Sequence, residues 1–308
     1  MKQSRIFADS SLLLIALIWG STFVVIQNAI AFLPPLSFNG VRFFIAAVLL
    51  AGWLFLFEKK QLKHFDRKLL FSGFILGICL FIGYAFQTAG LLYTSSSKAG
   101  FITGLSVVLV PVLSLFLLKI KPGINAIIGV SIATVGLYFL TMTDKVSLNI
   151  GDGFVFIGAL GFAMHIVSTG KFSSKYPSLL LTVIQISTVA LLSSTFAIFT
   201  EDWQQAFRPD VILRGNVLSA LIITSVFATA LAFFAQTSFQ RYTTPTRVAL
   251  IFAMEPVFAA ATAYIWADER LSMSAIFGCL LIFAGMIFAE LPMKKSLLKM
   301  KKSRKEAI

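Results

Sequence analysis

The chain has few charged residues and few cysteines, and each shortage excludes a class of protein. Only 13% of its 308 residues are charged, about half the share of an average soluble domain. Cys79 and Cys279 both lie inside apolar runs, which supports neither a disulfide framework nor a metal site. Metalloprotease, serine-hydrolase and P-loop motifs are also missing from the sequence. We therefore expect no cofactor, and an enzyme is disfavoured.

Long apolar runs dominate what is present, since 58% of the residues are hydrophobic. A run of about 20 such residues is long enough to cross a bilayer as a helix. The sequence predicts an all-α integral membrane protein of ten transmembrane helices. Lys2 and Arg5 precede the first run as in a signal peptide, but the run is long for one. The ten runs are 11–32, 36–57, 69–92, 97–118, 123–141, 153–170, 178–200, 215–240, 244–266 and 272–291.

The basic residues indicate an orientation. The formal charge of +13 could suggest a nucleic-acid partner, but the cations cluster in short loops and at the C-terminal tail. Membrane proteins keep such residues on the cytoplasmic side. We therefore expect no nucleic acid, both termini in the cytoplasm, and a basic tail over 293–308 that contacts anionic lipid headgroups.

One stretch of the chain occurs twice, as an internal sequence repeat. Gln87-Thr88, Tyr93-Thr94 and Lys98 recur with the same spacing as Gln236-Thr237, Tyr242-Thr243 and Arg247. Gly129 and Gly136 recur as Gly278 and Gly285, seven residues apart in both copies. Pro111 and Pro256 also correspond, although their distance from the preceding cation differs by four residues. The copies extend further back, because Asp9 to Trp19 matches Asp152 to Phe162, and Pro34 to Arg42 matches Pro177 to Gln185.

The repeat predicts two halves, 1–142 and 150–292, joined by the short polar linker Thr143–Gly151. Each half holds five predicted spans, so the second half enters the membrane from the opposite side. This is an inverted repeat, whose substrate site is expected near the midplane where the halves meet.

Together, these residues resemble the drug/metabolite transporter superfamily and, within it, the EamA family of ten-span bacterial carriers. The resemblance implies export or exchange of small metabolites by alternating access, in the bacterial cytoplasmic membrane. One departure is that the turn Lys119–Pro122 has no counterpart of Glu269. The matching pieces are Trp19-Gly20-Ser21-Thr22-Phe23, Arg42-Phe43, the stretch from Tyr93 to Pro111, Glu255-Pro256-Val257, Asp268-Glu269-Arg270-Leu271 and the pair Gly278/Gly285.

Glu255 is the most informative candidate, since it lies at the centre of its predicted span. An acidic residue there is costly when charged and usually faces a cavity. It can take up and release a proton during a transport cycle. Alternatively, it hydrogen-bonds the backbone freed by Pro256, because proline lacks an N–H group. Pro111 and Pro256 are predicted helix kinks.

Three basic residues have two interpretations each. Arg42 can hold a substrate carboxylate or phosphate, or it can anchor neighbouring helices through their carbonyl groups. Lys98 and Arg247 occupy equivalent repeat positions at opposite membrane faces. They can act as symmetry-related gates or serve only as interfacial anchors.

The remaining candidates for a substrate path are polar or aromatic, and all have a packing alternative. Interhelical hydrogen bonds by such residues are common in membrane bundles. A histidine can titrate near neutral pH, although a single one is usually a packing residue. These candidates are Trp19, Gly20, Tyr84, Gln87, Tyr93, His165, Gln236 and Tyr242.

The predicted function is secondary transport of a small metabolite such as an amino acid, with protons as a candidate coupling ion and the lipid bilayer as its surroundings. The alternative within the same class is a broad-specificity drug efflux carrier. An intramembrane enzyme and a membrane scaffold are disfavoured, because the sequence lacks catalytic motifs and long loops. Substrate identity, direction and oligomeric state do not follow from the sequence.

Overall fold

The computed structural model describes residues 2–141, 149–266 and 272–290, and the regular structure in these ranges is helical. The first range holds six α-helices: α1 (Lys2–Ile30), α2 (Pro35–Phe57), α3 (Arg67–Gly90), α4 (Ser96–Gly104), α5 (Ser106–Leu118) and α6 (Ile124–Thr141). The other two hold eight: α7 (Ile150–Phe172), α8 (Ser178–Thr200), α9 (Pro209–Ile212), α10 (Gly215–Ile223), α11 (Ala232–Gln240), α12 (Pro245–Phe252), α13 (Glu255–Trp266) and α14 (Met273–Glu290).

The predicted all-α class is confirmed, and the predicted apolar runs coincide with helices or broken helices to within a few residues, except that α1 begins nine residues before its run. Seven helical segments of the described ranges are long and apolar enough to cross a membrane. Two further apolar helices, Ile124–Leu140 and Met273–Ala289, are shorter. Short 3-10 helices follow α2 and α8, at Lys59–His64 and Trp203–Phe207.

Three runs are irregular inside the bundle. The run 97–118 breaks at Leu105, between α4 and α5. The run 244–266 breaks at Ala253 and Met254, between α12 and α13. Pro256 follows its break at once, whereas Pro111 lies inside the continuous helix α5. A π-helix over Thr224–Leu231 joins α10 to α11. The first break thus lies six residues before the proline that was predicted to kink the helix.

The most extensive helix contact pairs α6 with α14. A Cβ atom added to Gly136 would lie 2.7 Å from the carbonyl oxygen of Gly278, and one added to Gly129 would lie 2.6 Å from that of Gly285. The two predicted glycine pairs therefore face each other and let the backbones meet, as small residues do in membrane bundles.

Two other helix pairs, α3 with α7 and α2 with α8, also pack closely. Their apolar side chains, together with Phe233 of α11, form a core around Phe43, Leu76, Leu80 and Val189. A second core joins α1, α5, α6, α7, α12 and α14. Phe23, Ile26 and Leu91 of a third core also line the cavity described below. Several predicted features lie outside the described residues: the motif Asp268–Leu271, most of the linker Thr143–Gly151 and the tail 293–308.

Candidate functional site

A cavity inside the bundle is lined by residues of both halves of the chain. It reaches from the two helix breaks to the end of the bundle where α1 and α3 finish and α4 begins. We call this end the Glu201 face, because Glu201 ends α8 there, and the opposite end the Glu58 face. The lining residues are Trp19, Thr22, Phe23, Ile26, Arg42, Tyr84, Gln87, Leu91, Gly100, Thr103, Gly104, Ser106, Phe162, His165, Ile166, Phe233, Gln236, Phe252, Glu255 and Pro256.

Arg42 supplies the positive charge of this cavity. Its side chain is only 1% exposed, and its Nε donates a 2.7 Å hydrogen bond to Thr229 Oγ1 in the π-helix. The guanidinium carbon lies 4.8 Å from the ring centre of Tyr84, within the range of a cation–π contact. Among the described residues, Nη1 has no hydrogen-bond partner. A buried donor of this kind is costly to leave unpaired, so Arg42 is available to an anion in the cavity.

Glu255 contributes a carboxyl group to the cavity lining, as the first residue of α13 directly after the helix break. No hydrogen bond from the described ranges reaches its carboxylate, which therefore does not pair with backbone freed by Pro256. Gly20 allows α1 to approach closely here, since an added Cβ would lie in contact with the carbonyl oxygen of Glu255. Because no hydrogen bond of the described residues holds it, the carboxyl group of Glu255 is available to a ligand in the cavity.

Aromatic rings form the walls between the two charges. Trp19 Nε1 donates a 2.8 Å hydrogen bond to the carbonyl oxygen of Ala228 in the π-helix. Its ring centre lies 4.9 Å from that of Phe252 and 5.3 Å from that of Phe233. Tyr84 and Phe162 meet edge to face at 5.0 Å. The walls suit an apolar or aromatic group on a ligand.

The amide and imidazole groups of the cavity are mostly tied to protein partners. Gln87 Nε2 donates to Thr103 Oγ1 over 2.9 Å. His165 Nε2 lies 2.8 Å from Gln185 Oε1, whose amide donates onward to Thr237. Gln236 Oε1 has no partner among the described residues. No three His, Cys, Asp or Glu side chains of the described ranges converge on a common metal position.

Lys98 and Arg247 lie outside the cavity lining, and each forms an ion pair. Lys98 Nζ is 2.6 Å from Asp152 Oδ2, and Arg247 Nη2 is 2.6 Å from Asp9 Oδ2. The first pair joins α4 to α7, and the second joins α12 to α1. The repeat spacing already marks Asp9 and Asp152 as equivalent, which is the signal that could have identified them as partners.

Tyr93 and Tyr242 also lie outside the cavity lining, in the turns that follow α3 and α11. They are 57% and 43% exposed. Sequence reasoning named Trp19 and Tyr84 but missed the other wall residues Phe162, Phe233 and Phe252, although the repeat offers a signal for the first two of these. Counted along the repeat from Asp9 and Asp152, Trp19 is equivalent to Phe162. Counted back from Gln87 and Gln236, Tyr84 is equivalent to Phe233.

Arg42 and Glu255 line one aromatic cavity, and comparison with known proteins gives this arrangement a context. The model of the EamA-like transporter family matches the chain twice, over residues 6–142 and 149–290. A protein of Archaeoglobus fulgidus described as an uncharacterized transporter is 37% identical over 93% of this chain and 87% of its own length. The uncharacterized transporter YoaV of Bacillus subtilis is 24% identical over 88% of this chain and 92% of its own length.

One solved crystal structure superposes with a TM-score of 0.73 at 17% sequence identity, covering 94% of this chain and 96% of that one. This likeness concerns the fold. The names of the relatives indicate a transporter, as the sequence predicted, and the apolar helices make it a multi-pass protein of the cell membrane. The chain belongs to the EamA-like transporter family.

Proposed function

We propose that the protein is a secondary carrier with ten spans, arranged as two inverted five-helix repeats over 1–142 and 150–292 with both termini in the cytoplasm. Support comes from the double family match and from the two equivalent ion pairs at opposite ends of the bundle. The cavity lies between the two halves, where inverted repeats place their substrate.

The proposed substrate is a small zwitterion such as an amino acid, and the carrier exports or exchanges it. The observation that carries this choice is the presence of Arg42 and Glu255 in one cavity. The unpaired Nη1 of Arg42 can donate to a carboxylate, and the carboxylate of Glu255 can accept from an ammonium group. Charge-assisted hydrogen bonds of both kinds are short and strong. The rings of Trp19, Phe162 and Phe233 can then cover an apolar side chain.

Proton coupling would follow from the same carboxylate. Glu255 can bind either a proton or the substrate ammonium, but not both at once. Release of the substrate at one face would leave the carboxylate of Glu255 unpaired, and an unpaired charge at this depth is costly. A proton would neutralise this carboxylate before the empty carrier returns to the other face. The result is exchange of protons against substrate.

A broad-specificity drug efflux carrier is the second candidate, because the aromatic walls and Glu255 suit an apolar cation. That function would not use Arg42, which would instead repel a cation.

The test is exchange by purified protein in proteoliposomes that contain a mixture of unlabelled amino acids. Uptake of an external labelled amino acid into loaded but not empty vesicles is the expected result. Uptake of a labelled lipophilic cation, with no amino-acid exchange, would favour the second candidate and overturn the first.

A further inference from the structure

Glu201 connects the end of α8 to the start of α2. Its Oε1 accepts a 2.8 Å hydrogen bond from the backbone N–H of Leu36. Its Oε2 accepts from the backbone N–H and the hydroxyl of Ser37, over 2.8 and 2.9 Å. These are N–H groups of the first turn of α2, which have no partner within the helix. Glu201 therefore caps a neighbouring helix from a distance of about 165 residues in sequence.

The equivalent carboxylate in the other half is Glu58. Pro34 precedes α2 and Pro177 precedes α8, and Glu58 and Glu201 follow these prolines at the same spacing. The position that corresponds to Leu36 is Leu179, in the first turn of α8. By symmetry, Glu58 could cap α8 as Glu201 caps α2.

Glu58 does not make this contact here. Within the described ranges, its carboxylate accepts one hydrogen bond of 3.3 Å, from the side chain of nearby Gln61. Pro177 makes no side-chain cap at the start of α8, and no hydrogen bond of the described residues joins another side chain to the first-turn N–H groups of α8. By contrast, the two equivalent ion pairs that join the halves, Lys98–Asp152 and Arg247–Asp9, are both formed. The caps are thus unequal, whereas the two ion pairs are matched.

This inequality coincides with the shape of the cavity, which extends toward the Glu201 face. An inverted repeat reaches its opposite-facing state when the two halves exchange conformations. A contact whose repeat-equivalent contact is also formed persists through this exchange. A contact without a formed equivalent breaks, and the equivalent contact of the other half forms in its place.

We propose that Glu201 and Glu58 are alternating caps that set the balance between the two facing states. While the cavity is open to the Glu201 face, Glu201 caps α2. When it opens to the Glu58 face, Glu201 releases α2, and Glu58 accepts the first-turn N–H groups of α8, at Leu179 and Leu180. This proposal rests on the alternating access of the proposed function and assigns two residues outside the cavity to its control.

The test measures the accessibility of two matched reporters in lipid nanodiscs, without substrate. Ile26→Cys reports on the cavity near the Glu201 face, where Ile26 is a lining residue. Thr169→Cys is its repeat equivalent toward the Glu58 face, and Thr169 is now 0% exposed. Each is labelled with a polar maleimide, and the protein without the added cysteine serves as the blank.

Loss of a cap typically changes an equilibrium roughly fivefold. Glu201→Ala is expected to slow the labelling of Ile26→Cys and speed that of Thr169→Cys by up to that factor. Glu58→Ala is expected to do the reverse, and the double variant should return both rates toward those of the unsubstituted protein. Ser37→Ala, which removes one of the three hydrogen bonds, should act like Glu201→Ala but more weakly.

Asp202→Ala is the matched control, because Asp202 is an exposed acid beside Glu201 and contacts only Gln205 among the hydrogen bonds of the described residues. It should leave both rates unchanged. The proposal is overturned when Glu58→Ala and Glu201→Ala shift the reporters in the same direction, or when neither reporter responds. Either result alongside intact amino-acid exchange would reject the caps and leave the proposed function standing.

Discussion

Lys98 Nζ lies 2.6 Å from Asp152 Oδ2 and ties α4 to α7. Asp152 is 5% exposed and also accepts hydrogen bonds from Thr94 Oγ1 and from the backbone N–H of Asn149. The repeat-equivalent pair of Arg247 and Asp9 makes the same connection between α12 and α1. Of the two interpretations of these cations, gate or anchor, the presence of both pairs in one conformation favours an anchor that persists through the cycle.

Removing the cation of this pair should destabilise the fold. Lys98→Ala leaves the nearly buried carboxylate of Asp152 without its cation, which typically costs about 3 kcal/mol. Thermal unfolding in detergent should show a clear fall in midpoint, while Lys175→Ala, at an exposed position, should show almost none. The charge-reversed double variant Lys98→Asp/Asp152→Lys should recover part of the loss. An unchanged midpoint for Lys98→Ala would mean that the pair does not hold these helices together.

Arg42→Gln should weaken substrate binding more than it weakens the fold. Hydrogen bonds to charged groups contribute about 1.5–3 kcal/mol, so affinity for a zwitterion should fall roughly 10- to 100-fold. Arg42→Lys keeps the charge but not the fork of donors, and it should lose less. Binding is measured by calorimetry on detergent-solubilised protein. Equal affinity in Arg42→Gln and the unsubstituted protein would assign Arg42 to helix anchoring alone.

Glu255→Gln should separate exchange from coupling. The amide is similar in size but cannot take up a proton in the same pH range, so a proton gradient should no longer drive accumulation. Some exchange of substrate for substrate should remain, because it needs no change of protonation. Accumulation and exchange are measured in the same proteoliposomes, with Asp210→Asn as a control at an exposed acid. Undiminished gradient-driven accumulation would exclude Glu255 from coupling.

Gly136→Ala should disrupt the contact between α6 and α14. The added methyl group would lie 2.7 Å from both the carbonyl oxygen of Gly278 and the backbone nitrogen of Ile282, and backbone atoms cannot move aside as side chains do. Overpacking of this kind costs about 1–3 kcal/mol. Gly52→Ala is the control, since its added methyl would meet nothing within 4 Å, and it should be neutral or slightly stabilising. Thermal unfolding that ranks the two variants in the opposite order would contradict this packing.

Much of the fold could be predicted from sequence, because apolar length alone specifies a membrane helix. The run 178–200 was predicted to the residue, as α8. The repeat also pointed to residues in contact, since its two glycine pairs, Gly129/Gly136 and Gly278/Gly285, meet across α6 and α14. The breaks inside helices were harder to predict. The chain breaks at Leu105 and not at Pro111, because a proline can be accommodated in a helix whose neighbours satisfy the freed backbone.

The candidate site was predictable where a residue contradicts its surroundings. Glu255 and Arg42 are charged residues in apolar runs, and both line the cavity. Residue type did not distinguish Tyr84, which lines the cavity, from Tyr93, which faces outward. Which side of a helix faces the cavity depends on packing against helices distant in sequence. The π-helix that holds Arg42 through Thr229 likewise has no local signal that we could identify.

The central claim is that Arg42 and Glu255 together bind a zwitterion, and three matched ligands test it directly. They are an aromatic amino acid, its amide, which lacks the carboxylate, and its N-acetyl derivative, which lacks the ammonium group. The measurement is thermal unfolding of the purified protein at equal millimolar ligand concentrations. A ligand at about 100 times its dissociation constant adds roughly 2.7 kcal/mol of stability. The account predicts a rise in the midpoint with the amino acid and much smaller rises with the two derivatives. An equal or larger rise with the cationic amide would contradict it.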